Sequence, residues 1–198
     1  MVVRKTQVLA ARLEHQPLKD WVAWELNGYP GLETLPEYRQ LRGVQVLGDF
    51  SGAFGSGLKN APIPQMSVPE QLREPLFNHN FFERIGALEP LASHDTLYIP
   101  WPADAVAFLS QQIYQDMVCL TAQKVFSGAV VVGILEAVRN KVLSFALEIE
   151  SADPDAGEAE PGKPSVPEER VTHIVNTVIY GGQNTVAAGN RDVQQSSI

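Results

Sequence analysis

The sequence predicts a mainly α-helical protein of 198 residues, and three observations support this fold class. Apolar residues recur at helical spacing over most of the chain. Prolines and Asn-Gly or Ser-Gly pairs divide these stretches into separate helices. Glycine and proline interrupt much of the remainder before long strands can form. The length suits one main domain with an appendage, because single domains commonly run to about 100 to 200 residues.

Two short helices are expected at the start of the chain. Leu9 and Leu13 recur at helical spacing, and Pro17 suits the first turn of a second helix. That helix ends at Asn27-Gly28, a pair that tolerates the left-handed backbone of a helix C-terminus. These elements begin an N-terminal helical domain, which we place at residues 1–95.

The centre of the predicted domain is a Gly/Pro-rich region. Within residues 43–64, the glycines 48, 52, 55 and 57 are followed by the prolines 62 and 64, so we expect an ordered loop with at most a brief strand. Helices are predicted at 68–77 and 80–91, and an extended segment at 97–101.

A pair of long helices at 96–150 completes the predicted core. Apolar residues keep helical register from Pro102 to about Phe126, and again after Ser127-Gly128 to about Glu148. So short a connection predicts a long helical hairpin or a single kinked helix.

A flexible acidic linker and a β-rich C-terminal tail are expected after the core. Residues 151–170 contain six acids, two bases and four prolines, so they supply −4 of the net charge of −8 and little surface to bury. In the tail, 171–198, residues 176–183 are repeated in 184–191, which suggests short strands. Two such strands are marginal alone, so we expect the tail to join identical chains. The residues predicted to make this oligomeric contact are Ile174, Val175, Asn176, Val178, Ile179, Tyr180, Asn184 and Val186.

The composition argues against several classes of function. A pI near 5.0 leaves no basic stripe for duplex nucleic acid. The longest apolar run, 125–135, is shorter than the about 20 residues of a membrane span. No export signal opens the chain and Cys119 is its single cysteine, so we expect a cytoplasmic protein.

The candidates for catalysis are weak. The glycines of 48–60 do not lead into the Gly-Lys-Ser/Thr of a phosphate loop. His94-Asp95 and His79 fit turns better than a catalytic pair, because adjacent side chains seldom face each other. The chain has neither two histidines at metal-ligand spacing nor a cysteine cluster. We expect no catalytic residue, no metal and no cofactor.

One group of aromatic and charged residues stands out between Trp21 and Arg39. Glu25 and Arg39 suggest an ion pair that locks the turn between them, which would make the group structural. Aromatic residues with arginine are also typical of binding hot spots. Both interpretations stay open, and the candidate partner-binding residues are Trp21, Glu25, Asn27, Tyr29, Tyr38 and Arg39.

The same region resembles a known family. Glu25-Leu26-Asn27-Gly28-Tyr29, followed by Leu35-Pro36-Glu37-Tyr38-Arg39, is similar to AbiTii-type domains of bacterial abortive-infection systems, and the resemblance covers roughly residues 5–95. It implies a role in phage resistance. We therefore expect a non-enzymatic sensor, adaptor or regulator whose partners are copies of itself and other defence proteins or a phage protein. Two alternatives are a toxic enzyme with a site near 48–60 or His94, and a membrane-perturbing effector built from the predicted helices of 103–148.

Overall fold

A computed structural model describes residues 2–158 and 165–181 and shows a mixed α/β fold. The prediction of a mainly α protein is wrong, because a four-stranded antiparallel sheet lies where a loop and a helix were expected. The chain divides into two compact units. We call residues 21–139 the central unit and the described residues within 1–20 and 140–198 the terminal unit. The predicted domain limits at residues 95, 150 and 170 stay predictions.

The main sheet lies in the central unit. Its strands are β2 (Gln45–Gly52), β3 (Gly57–Pro62), β5 (Thr96–Pro100) and β6 (Met117–Ser127), in the order β3-β2-β6-β5. β1 (Gln40–Leu41) and β4 (His79–Asn80) form a separate antiparallel pair. β2 and β3 overturn the predicted loop of 43–64, and β6 overturns the predicted helix of 102–126. Without that helix, neither the helical hairpin nor the kinked helix exists.

Helices and the loops between them make up the rest of the described chain. The α-helices are α1 (Val2–Arg12), α2 (Gln16–Asn27), α3 (Glu70–Phe77), α4 (Ile85–Leu88), α5 (Ala103–Leu109), α6 (Ala129–Ala152) and α7 (Glu168–Ile174). Short 3-10 helices lie at Leu32–Thr34, Glu37–Arg39, Ala53–Gly55, Gln65–Ser67 and Glu89–Ser93, and a π-helical turn covers Val175–Ile179. The two opening helices, α3, the extended segment of 97–101 and the helix after Gly128 are confirmed. The helix predicted at 80–91 is reduced to α4 and a 3-10 turn.

The core of the central unit consists of two apolar clusters. One face of the sheet packs against α3 and α5 through residues such as Val46, Phe50, Phe77, Trp101 and Leu109. The second cluster joins the N-terminal part of α6 to the β1–β4 region. Its buried members are Phe81, Leu88, Val131 and Ile134.

The sheet changes register at one point along β2. Asp49 pairs with Thr121 and Phe50 with Cys119, so Leu120 of β6 is an extra residue without a partner in β2. On the other side, the β2–β3 register also shifts between Gly48 and Phe50. Bulges bend a strand and increase its twist. The part of β2 after Asp49, with the residues paired to it, therefore changes direction relative to the rest of the sheet.

The start of the predicted tail is helical, which corrects the expectation of β-strands there. Val171, Ile174, Val175 and Ile179 are all buried in the terminal unit. The Lys141 ammonium group donates to the carbonyls of Val178 and Ile179, at 3.0 and 2.8 Å.

Side-chain contacts hold this helix to its own unit. The Tyr180 hydroxyl donates to the carbonyl of Pro17 at 3.3 Å, and the His15 ring lies 3.1 Å from the Thr172 hydroxyl. The predicted oligomer residues 174–180 therefore belong to a helix packed within this chain, while Asn184 and Val186 lie outside the described residues.

The predicted linker is also partly structured. α6 extends to Ala152 and α7 begins at Glu168, and both Ala156 and Val166 are buried. In the stretches that the structure describes, no helix has the length and apolar character needed to cross a membrane.

Candidate functional site

The residues singled out between Trp21 and Arg39 converge on one buried ion pair. Glu25, on α2, and Arg39, at the end of a 3-10 turn, each have fully buried side chains. Arg39 Nη2 lies 2.5 Å from Glu25 Oε2, and Arg39 Nε donates to Oε1 at 3.2 Å. Two parallel bonds between a guanidinium and a carboxylate fix both the distance and the orientation of the pair.

Aromatic side chains complete the hydrogen bonding of Glu25. The hydroxyls of Tyr29 and Tyr38 donate to Glu25 Oε1 at 2.7 and 2.6 Å. Trp21 Nε1 donates to the Tyr38 hydroxyl at 3.1 Å. The Arg39 guanidinium also lies 4.9 Å from the centre of the Tyr29 ring, within cation–π range.

Arg39 also reaches a distant part of the chain. Its Nη1 donates to the carbonyls of Phe81 and Glu83, at 3.0 and 2.8 Å. The Phe81 amide donates to the Arg39 carbonyl in return, at 2.9 Å. One side chain thus joins the 25–39 region to the strand and turn around residue 81. No local sequence signal indicated these carbonyl partners.

The electrostatics of this cluster keep Arg39 charged and both tyrosine hydroxyls protonated. Burial opposes the charge of Arg39, but the hydrogen bond and charge of Glu25 outweigh it and raise the pKa of Arg39. Burial, with Tyr38 and Glu25 nearby, raises the pKa of Tyr29, and burial with Glu25 raises that of Tyr38. Both hydroxyls therefore remain hydrogen-bond donors at neutral pH.

The candidate partner-binding residues differ in exposure. Trp21, Glu25, Tyr29 and Arg39 are buried, whereas Tyr38 is half-buried. Asn27 is exposed, and its side-chain amide donates to the carbonyl of Ala23 within α2. A partner-binding role for this set stays a prediction, and of the six only Asn27 has an exposed side chain.

The glycine-rich segment of 48–60 is a hairpin and not a phosphate loop. Gly48 lies within β2, where an added Cβ would be 2.8 Å from the carbonyl oxygen of Thr121. Gly57 likewise has no room beside the carbonyl of Phe50, at 3.0 Å. These glycines permit close approach of strands, and the segment leads into β3, not into the helix that a phosphate loop requires.

The candidate nucleophile and bases lie apart from one another. Cys119 is buried in β6, and burial together with the nearby Asp49 charge raises the pKa of its thiol. His79 lies in β4 and packs against the rings of Phe81 and Phe126, and burial followed by the Lys124 charge lowers its pKa.

His94-Asp95 lies in the loop before β5. Both side chains are exposed, and the two peptide units face Gly128. Among the described residues, no group of three or more His, Cys, Asp or Glu is arranged to hold a metal ion.

A further feature of the central unit was not predicted at all. An apolar groove of about 450 Å³ lies between α5 and the bulged part of β6. Trp101, Cys119 and Ala122 are its buried lining residues, and Ala107 and Leu120 are exposed at its edge. The groove was missed because the sequence interpretation placed β6 in a helix.

The fold is that of a mixed α/β protein. Its richest polar cluster, around Glu25 and Arg39, connects elements of its own chain, and the groove beside α5 leaves apolar surface exposed. The family model of AbiTii matches residues 1–175, so the chain belongs to the AbiTii family. This membership supports its assignment to bacterial abortive-infection defence against phage. No curated protein and no solved structure gave a significant match.

Proposed function

We propose that this chain is a non-enzymatic sensor, adaptor or regulator of abortive infection in the bacterial cytoplasm. It acts by binding other defence proteins or a phage protein and by assembling with itself. The observation that supports the proposal best is the saturation of its polar cluster. Glu25 accepts four hydrogen bonds, and Arg39 directs its donors to Glu25 and two carbonyls, so these groups act within the fold.

Exposed apolar side chains support the binding role. In the central unit Phe54 and Leu120 are each more than half exposed. Single apolar residues on a surface are common, but an exposed one beside an apolar groove is typical of contact with another protein. Leu120 lines such a groove.

A phage-challenge assay tests the non-enzymatic role. We expect the single variants His79→Gln, His94→Ala and Cys119→Ser to retain protection, since none of these residues is proposed to act chemically. Lys59→Arg, which keeps the positive charge of this residue, extends the test to the glycine-rich hairpin. Complete loss of protection by a variant with an unchanged melting temperature would favour an enzyme instead.

A truncation can test whether the C-terminal tail multimerises the chain, but its position matters. Removing residues 170–198 would delete the buried side chains of α7 and its π-helical turn, and would therefore damage the terminal unit. A truncation after Gly181 keeps them. If the tail multimerises the chain, light scattering will give a smaller mass for this truncation than for the full chain. Equal masses would exclude the tail as the contact.

A further inference from the structure

The tip of the β2–β3 hairpin holds one aromatic side chain in solvent. Phe54 has an exposure of 108%, the largest among the large hydrophobic residues that the structure describes, so its ring touches almost nothing in its own chain. Its backbone is left-handed, with φ 56° and ψ 30°. A bulky residue seldom adopts this conformation, and strained backbone is often retained at functional positions.

Hydrogen bonds fix the tip in this strained shape. The Gly52 amide donates to the Ser56 carbonyl at 2.8 Å, and the Ser56 amide donates to the Ala53 carbonyl at 3.1 Å. The Ser56 hydroxyl donates to the same Ala53 carbonyl at 2.8 Å. The tip is therefore a defined turn that presents Phe54 at little further cost in conformational freedom. An aromatic side chain on a preordered backbone is an effective anchor in interfaces.

The same unit contains a site that suits such an anchor. The groove beside α5 has a volume of about 450 Å³, is lined mainly by apolar side chains and is open to solvent, so an aromatic ring from outside the chain can reach it. Its edge includes Leu120, which the bulge in β6 leaves 58% exposed. The hairpin tip with Phe54 and the groove thus both lie close to the register shift between β2 and β6.

Charge complementarity selects the occupant. Lys59 is exposed on β3 of the hairpin that presents Phe54. Asp104 is exposed in the first turn of α5, next to the lining residue Ala103. A hairpin that carries an exposed cation on β3 therefore complements a groove with an exposed anion next to its lining residue Ala103, and one chain provides both.

We propose that Phe54 of one copy of this chain inserts into the apolar groove of a second copy, with Lys59 facing Asp104 across the contact. The two surfaces differ, so the contact is heterologous and each copy keeps one free anchor and one free groove. Copies can then join head to tail into a ring or a chain. The inference rests on the proposed assembly role and names a surface for it in the central unit. A contact made by one aromatic ring and one pair of charges is small and therefore weak, so assembly should appear at high protein concentration.

The test uses full-length chains with either half of the contact removed. Phe54→Asp removes the anchor, and Ala107→Trp fills the groove. Each variant should weaken self-association by about tenfold or more in sedimentation, as expected for a central aromatic anchor. Met66→Asp, at a residue 80% exposed elsewhere in the unit, and Phe108→Trp, on α5, are the matched controls and should behave like the wild type.

Mixing the two variants gives the decisive result. Phe54→Asp retains an intact groove and Ala107→Trp an intact anchor. An equimolar mixture should therefore recover one Phe54 contact for each pair of chains and give a larger mass than either variant alone, whatever contact the tail adds. A monomeric wild type, an unchanged mass for Phe54→Asp, or no recovery on mixing would each overturn the proposal.

A cross-linking experiment supplies a readout that does not depend on the folding of Ala107→Trp. A photoreactive benzoylphenylalanine in place of Phe54 should cross-link to residues 100–107 or 119–122 of another chain. Cross-links confined to other segments, or none between chains, would overturn the contact. Loss of protection in the histidine and cysteine variants would refute the non-enzymatic role and leave these masses unchanged, so the two failures are distinguishable.

Discussion

The Glu25–Arg39 cluster and the Phe54 hairpin belong to the same unit and place their side chains in opposite environments. In the cluster, two opposite charges are fully buried and surrounded by donors and acceptors. In the hairpin, an aromatic ring is fully exposed on a strained backbone. Burying charge and exposing an aromatic ring are both unfavourable alone, so each region needs a compensating contact. The cluster finds its contacts within the chain, whereas we infer that the hairpin finds its contact in another copy.

The largest expected effect comes from breaking the buried ion pair. Arg39→Ala leaves the Glu25 carboxylate buried without its cation, and removal of one partner of such a pair typically costs about 3 to 5 kcal/mol. Urea denaturation should show this loss in the free energy of unfolding.

A surface ion pair provides the matched control. Arg42 and Glu74 lie 3.1 Å apart with side chains 51% and 70% exposed, so Arg42→Ala should cost about 1 kcal/mol or less. If Arg39→Ala kept full stability but abolished phage protection, the cluster would be a binding surface and not a structural lock.

A smaller loss of stability is expected at Gly48, where the glycine allows close strand packing and does not serve a phosphate loop. Gly48→Ala introduces a Cβ 2.8 Å from the Thr121 carbonyl, and crowding of this kind costs about 1 to 3 kcal/mol. The control is Gly133→Ala in α6, where nothing lies within 4 Å of the added carbon. That variant should instead gain about 0.5 to 1 kcal/mol, because alanine favours a helix over glycine. Equal melting temperatures for the two variants would contradict the close strand packing at Gly48.

The exposed anchor should contribute nothing to folding. Phe54→Gly removes a ring without contacts and relieves the left-handed backbone, so the free energy of unfolding should stay the same or rise by at most about 1 kcal/mol. Phe50→Ala, four residues earlier and buried, should cost about 3 to 5 kcal/mol. A clear destabilisation by Phe54→Gly would show that the ring has a role within its own chain.

The helices at both ends of the central unit could be predicted because their signals are local. Pro17 and Asn27-Gly28 mark the limits of α2, and Gly128 precedes α6. The ion pair of Glu25 with Arg39 was also expected as a structural lock, since the intervening turn brings the two side chains together. The carbonyls of Phe81 and Glu83 that complete it are distant in sequence, so no local pattern indicated them.

The sheet was missed for physical reasons that the structure makes clear. Apolar residues at Val106, Leu109, Ile113 and Met117 have helical spacing, but α5 ends at Leu109 and the chain turns at Asp116, where φ is 59°. Spacing over short apolar runs does not distinguish a helix from a strand. In β2 and β3 the glycines looked like breakers, although close strand packing requires them.

The prediction of strands at the start of the tail was wrong for a different reason. Val171, Ile174, Val175 and Ile179 have the spacing of a buried helical face, so the correct signal was present. The eight-residue repeat and the abundance of β-branched residues outweighed it. Propensity was therefore given more weight than periodicity, although tertiary packing routinely overrides propensity.

The smallest expected effect is a dependence of folding stability on pH, which arises from His79 and His15 and not from the Glu25–Arg39 cluster. The pKa of His79 in the central unit is lowered from its ordinary value of 6.5 by burial, then by the Lys124 charge, with Glu83 opposing. The pKa of His15 in the terminal unit is lowered by burial, with Glu168 opposing. The folded protein therefore binds fewer protons than the unfolded chain once the pH falls below 6.5. Stability should fall from that point and level off below the folded pKa values. By contrast, Arg39 should stay charged throughout, because its pKa is raised.

Denaturation from about pH 7.5 to about pH 5 measures this dependence, since most carboxylates titrate lower. His79→Gln should reduce the slope, and adding His15→Gln should reduce it further. Lys124→Met should also reduce it, because the Lys124 charge disfavours protonation of His79. If the double histidine variant kept the full slope, groups other than these two buried rings would control the acid sensitivity of the fold.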